Sequence, residues 1–112
     1  MRWPLGRVAV AEQSMAPALR PGDWLLVWHG LRPGRPPRVR PGQIVIARSP
    51  GRADFLLVKR ATRREPGGWW LASDNSAVSA VDSRSFGAVP PGQITGRVLL
   101  RYPRGRAGGL GR

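Results

Sequence analysis

Cysteine is absent from the 112 residues, histidine occurs once, at His29, and lysine once, at Lys59. Without thiols the chain can form neither a disulfide nor a thiolate metal site, and one imidazole cannot assemble a histidine-rich one. Carboxylates are few: Glu12, Asp23, Asp54, Glu65, Asp74 and Asp82 are the whole supply. No run of about 18 apolar residues occurs, and the opening MRWPLGRVAVAEQ holds too short an apolar stretch for a signal peptide or a membrane anchor. The chain is expected to be cytoplasmic, either soluble or held peripherally at a membrane.

What is present points to strands. Glycine (15) and proline (12) together make up nearly a quarter of the chain, which favours turns and strands over long helices, and 112 residues suffice for one modest core. Nineteen basic residues against six acidic ones leave a net charge of +13. Such a balance suits nucleic acid or an anionic membrane surface. The 18 arginines, however, are spread from Arg2 to Arg112 rather than gathered in a block. They read as a bias of the whole sequence, and no nucleic-acid partner is expected.

Along the chain, RVAVA (7–11) reads as a first strand, and EQSMAPALRPGD (12–23) as a turn containing one helical turn. WLLVWHG (24–30) reads as a buried strand. LRPGRPPRVRPG (31–42), with four prolines and four arginines, reads as a solvated, mobile connection. QIVIARS (43–49) and FLLVKRATRRE (55–65) form a hairpin through PGRAD, and PGG turns the chain into WWLASD (69–74). After an irregular segment (75–92), QITGRVLLRYP (93–103) supplies the last strand. RGRAGGLGR (104–112) is a disordered basic tail. Residues 1–103 thus form one mainly β domain with little helix.

Few residues are left to carry chemistry. His29 stands at a strand end beside Gly30, as a surface residue does, and nothing supports it as a triad member. Asp23 in its PGD turn and Asp74 before Asn75 sit where aspartate satisfies local backbone donors. Lys59 differs. It follows FLLV on a strand, where burial disfavours the charged amine and suits a general base for a serine nucleophile. The alternative is a lysine whose head reaches solvent from the strand.

The segments SMAPAL (14–19), PGDWLLV (21–27), VKR (58–60) and SDN…DSRSFG (73–87) stand in the order found in the signal peptidase I family, which the chain resembles over about residues 8–103. The short, anchorless nickel-type superoxide dismutase maturation proteases of actinobacteria look most similar, in length and in the GGWW before the last box. The resemblance implies a compact antiparallel β structure of the signal-peptidase catalytic type and a serine endopeptidase with Ser14 as nucleophile and Lys59 as base. Met15 would pack beside the site, and Pro17 and Leu19 would fix the turn that presents Ser14. The oxyanion hole would use the backbone N–H of Ser14, and with serine, lysine and backbone dipoles supplying nucleophile, base and oxyanion stabilisation no metal or cofactor would be needed. Ser79 would orient the lysine, and Asp82 and Arg84 would form a supporting ion pair.

The chain also departs from the family pattern. Glu12 stands where some members place a second oxyanion donor, and a carboxylate cannot donate. Ser73 replaces glycine before Asp-Asn, and Gln43 replaces an aspartate; neither is expected to touch the dyad. The implied substrate is a precursor polypeptide bound as an added strand along residues 9–13 and 55–58, with small residues before the cleaved bond. Its N-terminal extension would be removed by a monomeric enzyme, with nickel superoxide dismutase as the candidate precursor. Peripheral contact with an anionic membrane remains open through the basic surface. Competing readings are an inactive peptide-binding relative, a basic β-barrel for nucleic acid, and a self-cleaving repressor. The last shares Ser/Lys chemistry but needs an upstream DNA-binding domain, and 13 residues precede Ser14.

Overall fold

The computed structural model describes residues 4–10, 15, 19, 22–31, 35–75 and 81–102. Their strands are β1 (Leu5–Ala9), β2 (Trp24–Trp28), β3 (Ile44–Ser49), β4 (Arg52–Glu65), β5 (Gly68–Ala72) and β6 (Ile94–Tyr102). They build one six-stranded sheet in the order β1-β2-β6-β3-β4-β5, antiparallel at every step. The mainly β reading holds. Among the described residues no helix is long and apolar enough to cross a membrane.

The core lies on both faces of the sheet because β3 is apolar on both. Val45 and Ala47 join Ala61, Trp69, Leu71, Val89 and Ile94 on one side, while Ile46 joins Val10, Met15, Leu19, Leu25 and Val27 on the other. Successive side chains of a strand point to opposite faces, so an unbroken apolar run such as IVIA marks a strand covered twice. The register places Val45 opposite Lys59.

The element boundaries differ from the sequence reading in three places. The β3–β4 turn is Pro50–Gly51 alone, because Arg52 pairs directly with Ser49 in a two-residue hairpin. The described part of 75–92, residues 75 and 81–92, holds more structure than its composition suggests. It contains the short helix α1 (Ser83–Phe86), a 3-10 turn (Pro91–Gln93) and a bridge between Val89 and Trp69. The bridge explains the glycine before the tryptophans: the Val89 carbonyl passes so close to Gly68 that a Cβ would collide with it. Residues 31–42 are the third case. Pro37 is buried, Val39 packs against the core, and Arg97 donates to the Arg38 carbonyl at 3.0 Å. The expected solvated loop is anchored along at least these residues. The tail at 104–112 lies outside the described residues.

Candidate active site

The site is built where β4, β5 and the chain leading to α1 converge. Lys59 stands in the middle of β4, on the face of Val45 and Ala61, and is 1% exposed. Its Nζ donates a hydrogen bond to Ser73 Oγ at 2.9 Å. Ser73 itself is buried and comes immediately after Ala72, which pairs with Arg60, so one further step along the ladder sets Ser73 against Lys59. The expectation that Ser73 stays clear of the lysine is therefore corrected.

That register depends on a β-bulge. From the turn outward, Glu65 pairs with Gly68, Arg64 with Trp69 and Arg63 with Trp70, but Ala61 pairs with Leu71, leaving Thr62 without an opposite residue. Regular pairing all the way from the turn would have set Asp74, a carboxylate, against Lys59. The extra residue in β4 moves the match by one, and a one-residue change in register exchanges the faces that side chains occupy. Thr62 Oγ1 donates to the Trp70 carbonyl at 3.1 Å across this irregularity.

Asp82 holds Ser73 from behind. As N-cap of α1 it accepts from the backbone N–H of Arg84 through Oδ1 at 3.0 Å, and its Oδ2 accepts from the backbone N–H of Ser73 at 3.0 Å. Arg84 Nε donates to Oδ1 at 3.0 Å, which makes an ion pair with one partner buried and the other half in solvent. Burial by itself would raise the Asp82 pKa, but the Arg84 side-chain bond and the Ser73 and Arg84 backbone donors outweigh it and hold the carboxyl below its usual range. Ser83 Oγ accepts from Leu71 N at 2.7 Å, tying α1 to β5 as well.

On the other face of the ladder Asp74 is taken by arginine. Arg60 Nε and Nη2 donate to its two carboxylate oxygens at 2.9 and 2.7 Å, and Arg60 Nη1 donates to the Gly42 carbonyl at 2.8 Å. The hydrogen bond to Asp74 raises the Arg60 pKa above its already high ordinary value, against the opposing effect of partial burial. Asp74 N donates to Met15 Sδ at 3.4 Å, so the end of β5 also meets the residue that follows Ser14. Met15 is 1% exposed, and its carbonyl accepts from Leu19 N at 2.8 Å.

Met15, Lys59, Asp82 and Arg84 thus fall in the described part of the site, whereas Glu12, Ser14, Pro17 and Ser79 lie outside the described residues. Sequence reasoning missed the bond from Lys59 to Ser73 and the clamp of Arg60 on Asp74. Asp74 is corrected: it faces Arg60 instead of serving local backbone donors. Asp23 meets Arg101 Nη1 at 3.5 Å. His29 is corrected too. Its half-buried ring fills the space over Gly6 and Gly96, and its Nδ1 donates to the Thr95 carbonyl at 2.7 Å, which fixes the proton on that nitrogen. Gln43 has a local role, its Oε1 accepting from Arg40 N at 2.8 Å.

The described part of the site is thus a buried amine bonded to a hydroxyl, with Met15 joined to the adjacent Asp74. The family model described as Peptidase S24-like matches residues 5–98, a span that contains every element of this site. The chain belongs to the Peptidase S24-like family. No curated protein matches it. Family membership agrees with the peptidase character and the β architecture implied by the resemblance to signal peptidase I, at that level of detail.

Proposed function

We propose that this family member is a serine endopeptidase of the signal peptidase type, in which Lys59 activates Ser14 to remove an N-terminal extension from a precursor protein. The observation that carries the reading is the burial of the chain's single lysine against the Ser73 hydroxyl. A desolvated amine is favoured in its neutral form, and only that form can accept a proton. In the proposed reaction Lys59 Nζ takes the Ser14 hydroxyl proton as Oγ attacks the scissile carbonyl carbon. The Ser14 N–H holds the developing oxyanion. Collapse expels the amine, which leaves with the proton from Lys59. Water, deprotonated by the same lysine, then attacks the acyl-serine and returns Ser14 and the new carboxylate.

The proposed substrate runs as an added strand beside residues 55–58. Because β5 ends at Ala72, opposite Arg60, that stretch of β4 has no strand on its outer side among the described residues. A nickel superoxide dismutase precursor in the cytoplasm is the candidate suggested by the resemblance, processed by a monomer. The charge of +13 supports salt-reversible contact with an anionic membrane as a second interaction.

The test replaces Lys59 by arginine, which keeps the charge but has no neutral form near neutral pH. Lys59→Arg and Ser14→Ala should both remain folded by circular dichroism and thermal melting. Both should lose measurable cleavage of a fluorogenic peptide with small residues before the scissile bond, because the two residues act as a unit. Lys59→Arg activity within about threefold of the parent would end the assignment.

A further inference from the structure

Resting on that reading, we propose that Ser73 is the positioning residue for Lys59, and that the bulge at Thr62 is what delivers this hydroxyl, rather than the Asp74 carboxylate, to the amine. The consequence is chemical. A carboxylate opposite Lys59 would hold the ammonium form and remove its basicity, since an opposite charge within a few ångströms stabilises the protonated amine. A hydroxyl accepts one N–H without adding charge, so it orients the amine without holding it in the ammonium form.

Three contacts fix Ser73 for this task. Its N–H is held by buried Asp82, its successor Asp74 is gripped by both arms of Arg60, and Asp74 N meets Met15 Sδ. Residues 73 and 74 therefore join the strand of the base to the segment of the nucleophile. Lys59 receives Ser73, while its neighbour Arg60 occupies the adjacent carboxylate.

The single lysine makes the proposal measurable without relying on turnover. With lysine labelled at its ε-carbon, one side-chain resonance reports the ionisation of Lys59 as pH is varied. Ser73→Asp should raise its titration midpoint by about one unit or more, the usual effect of an adjacent opposite charge, and should push the acid limb of the activity profile to higher pH. Ser73→Ala should lower the midpoint, because the ammonium loses an acceptor, and should reduce kcat by about tenfold or more with little change in KM. Ser73→Thr, which restores the hydroxyl, should recover both. If the alanine variant does not fold, Ser73→Cys keeps the shape with a much weaker acceptor and should show the same losses.

A folded alanine or cysteine variant with unmoved lysine titration and kcat would overturn the proposal. The outcome is separable from the fate of the peptidase reading. Should Lys59→Arg cleave normally, that reading fails, while the lysine resonance still decides whether Ser73 governs the amine.

Discussion

Asp82 shows how much one side chain can hold in a small domain. It accepts from two backbone N–H groups on different segments and from Arg84, so it fixes both the start of α1 and the position of Ser73. The Arg84 side chain is half exposed and partly screened by water, whereas the two backbone donors meet the buried carboxylate directly. Asp82→Asn should cost about 2 kcal/mol at neutral pH, in the range of hydrogen bonds to charged groups. The folded-state pKa is depressed, so the carboxylate's stabilisation is complete above the unfolded value of about 3.8 and is lost as pH falls through the folded one. Thermal melts at descending pH should bring parent and variant together once the pH has passed below the depressed folded-state pKa. A gap that stays constant would assign the loss to packing instead of charge. At this scale Lys59 was legible in the sequence, because a rare residue in an apolar run stands out. Ser73 was not, because nothing in the letters SDN says which way the serine faces.

The reason lies one scale up, in the pairing of β4 with β5. Counted from the PGG turn with regular pairing, Lys59 meets Asp74, and only the bulge at Thr62 substitutes Ser73. Bulges are often marked by glycine, but the residues here are Ala61, Thr62 and Arg63, which carry no such mark. Two single deletions separate register from composition. Removing Thr62 should flatten the bulge while keeping Ala61 on Leu71 and Ser73 on Lys59, so peptide cleavage should stay within about tenfold of the parent. Removing Ala72 should advance β5 by one place and set Asp74 against Lys59. That variant should lose cleavage by about a hundredfold or more and raise the lysine titration midpoint. Equal losses in the two deletions, with both proteins folded, would show that the irregularity itself matters rather than the register it sets.

For the whole molecule, composition alone indicated strands, and six runs of apolar and β-branched residues fell on the six strands to within a few residues. The described parts of 31–42 and 75–92 meet the core through tertiary contacts: Val39, Phe86 and Val89 pack in one cluster, and local composition carries no sign of that. The two cores share β3, where Val45 and Ile46 are neighbours in the chain but belong to opposite faces. Neither face can lose its packing without releasing the strand that supports the other. Ile46→Ala on one side and Leu71→Ala on the other should each cost about 2–5 kcal/mol, the range for truncating a fully buried aliphatic side chain. Both variants should unfold in one transition, with far-ultraviolet circular dichroism and tryptophan fluorescence coincident, because a domain of this size gains its stability from one cooperative unit. Trp69 lies in the same cluster as Leu71, so fluorescence reports that core most directly. If Leu71→Ala shifted the fluorescence transition to lower temperature while the circular dichroism transition stayed in place, the cores would be separable and β3 would not be the element that couples them.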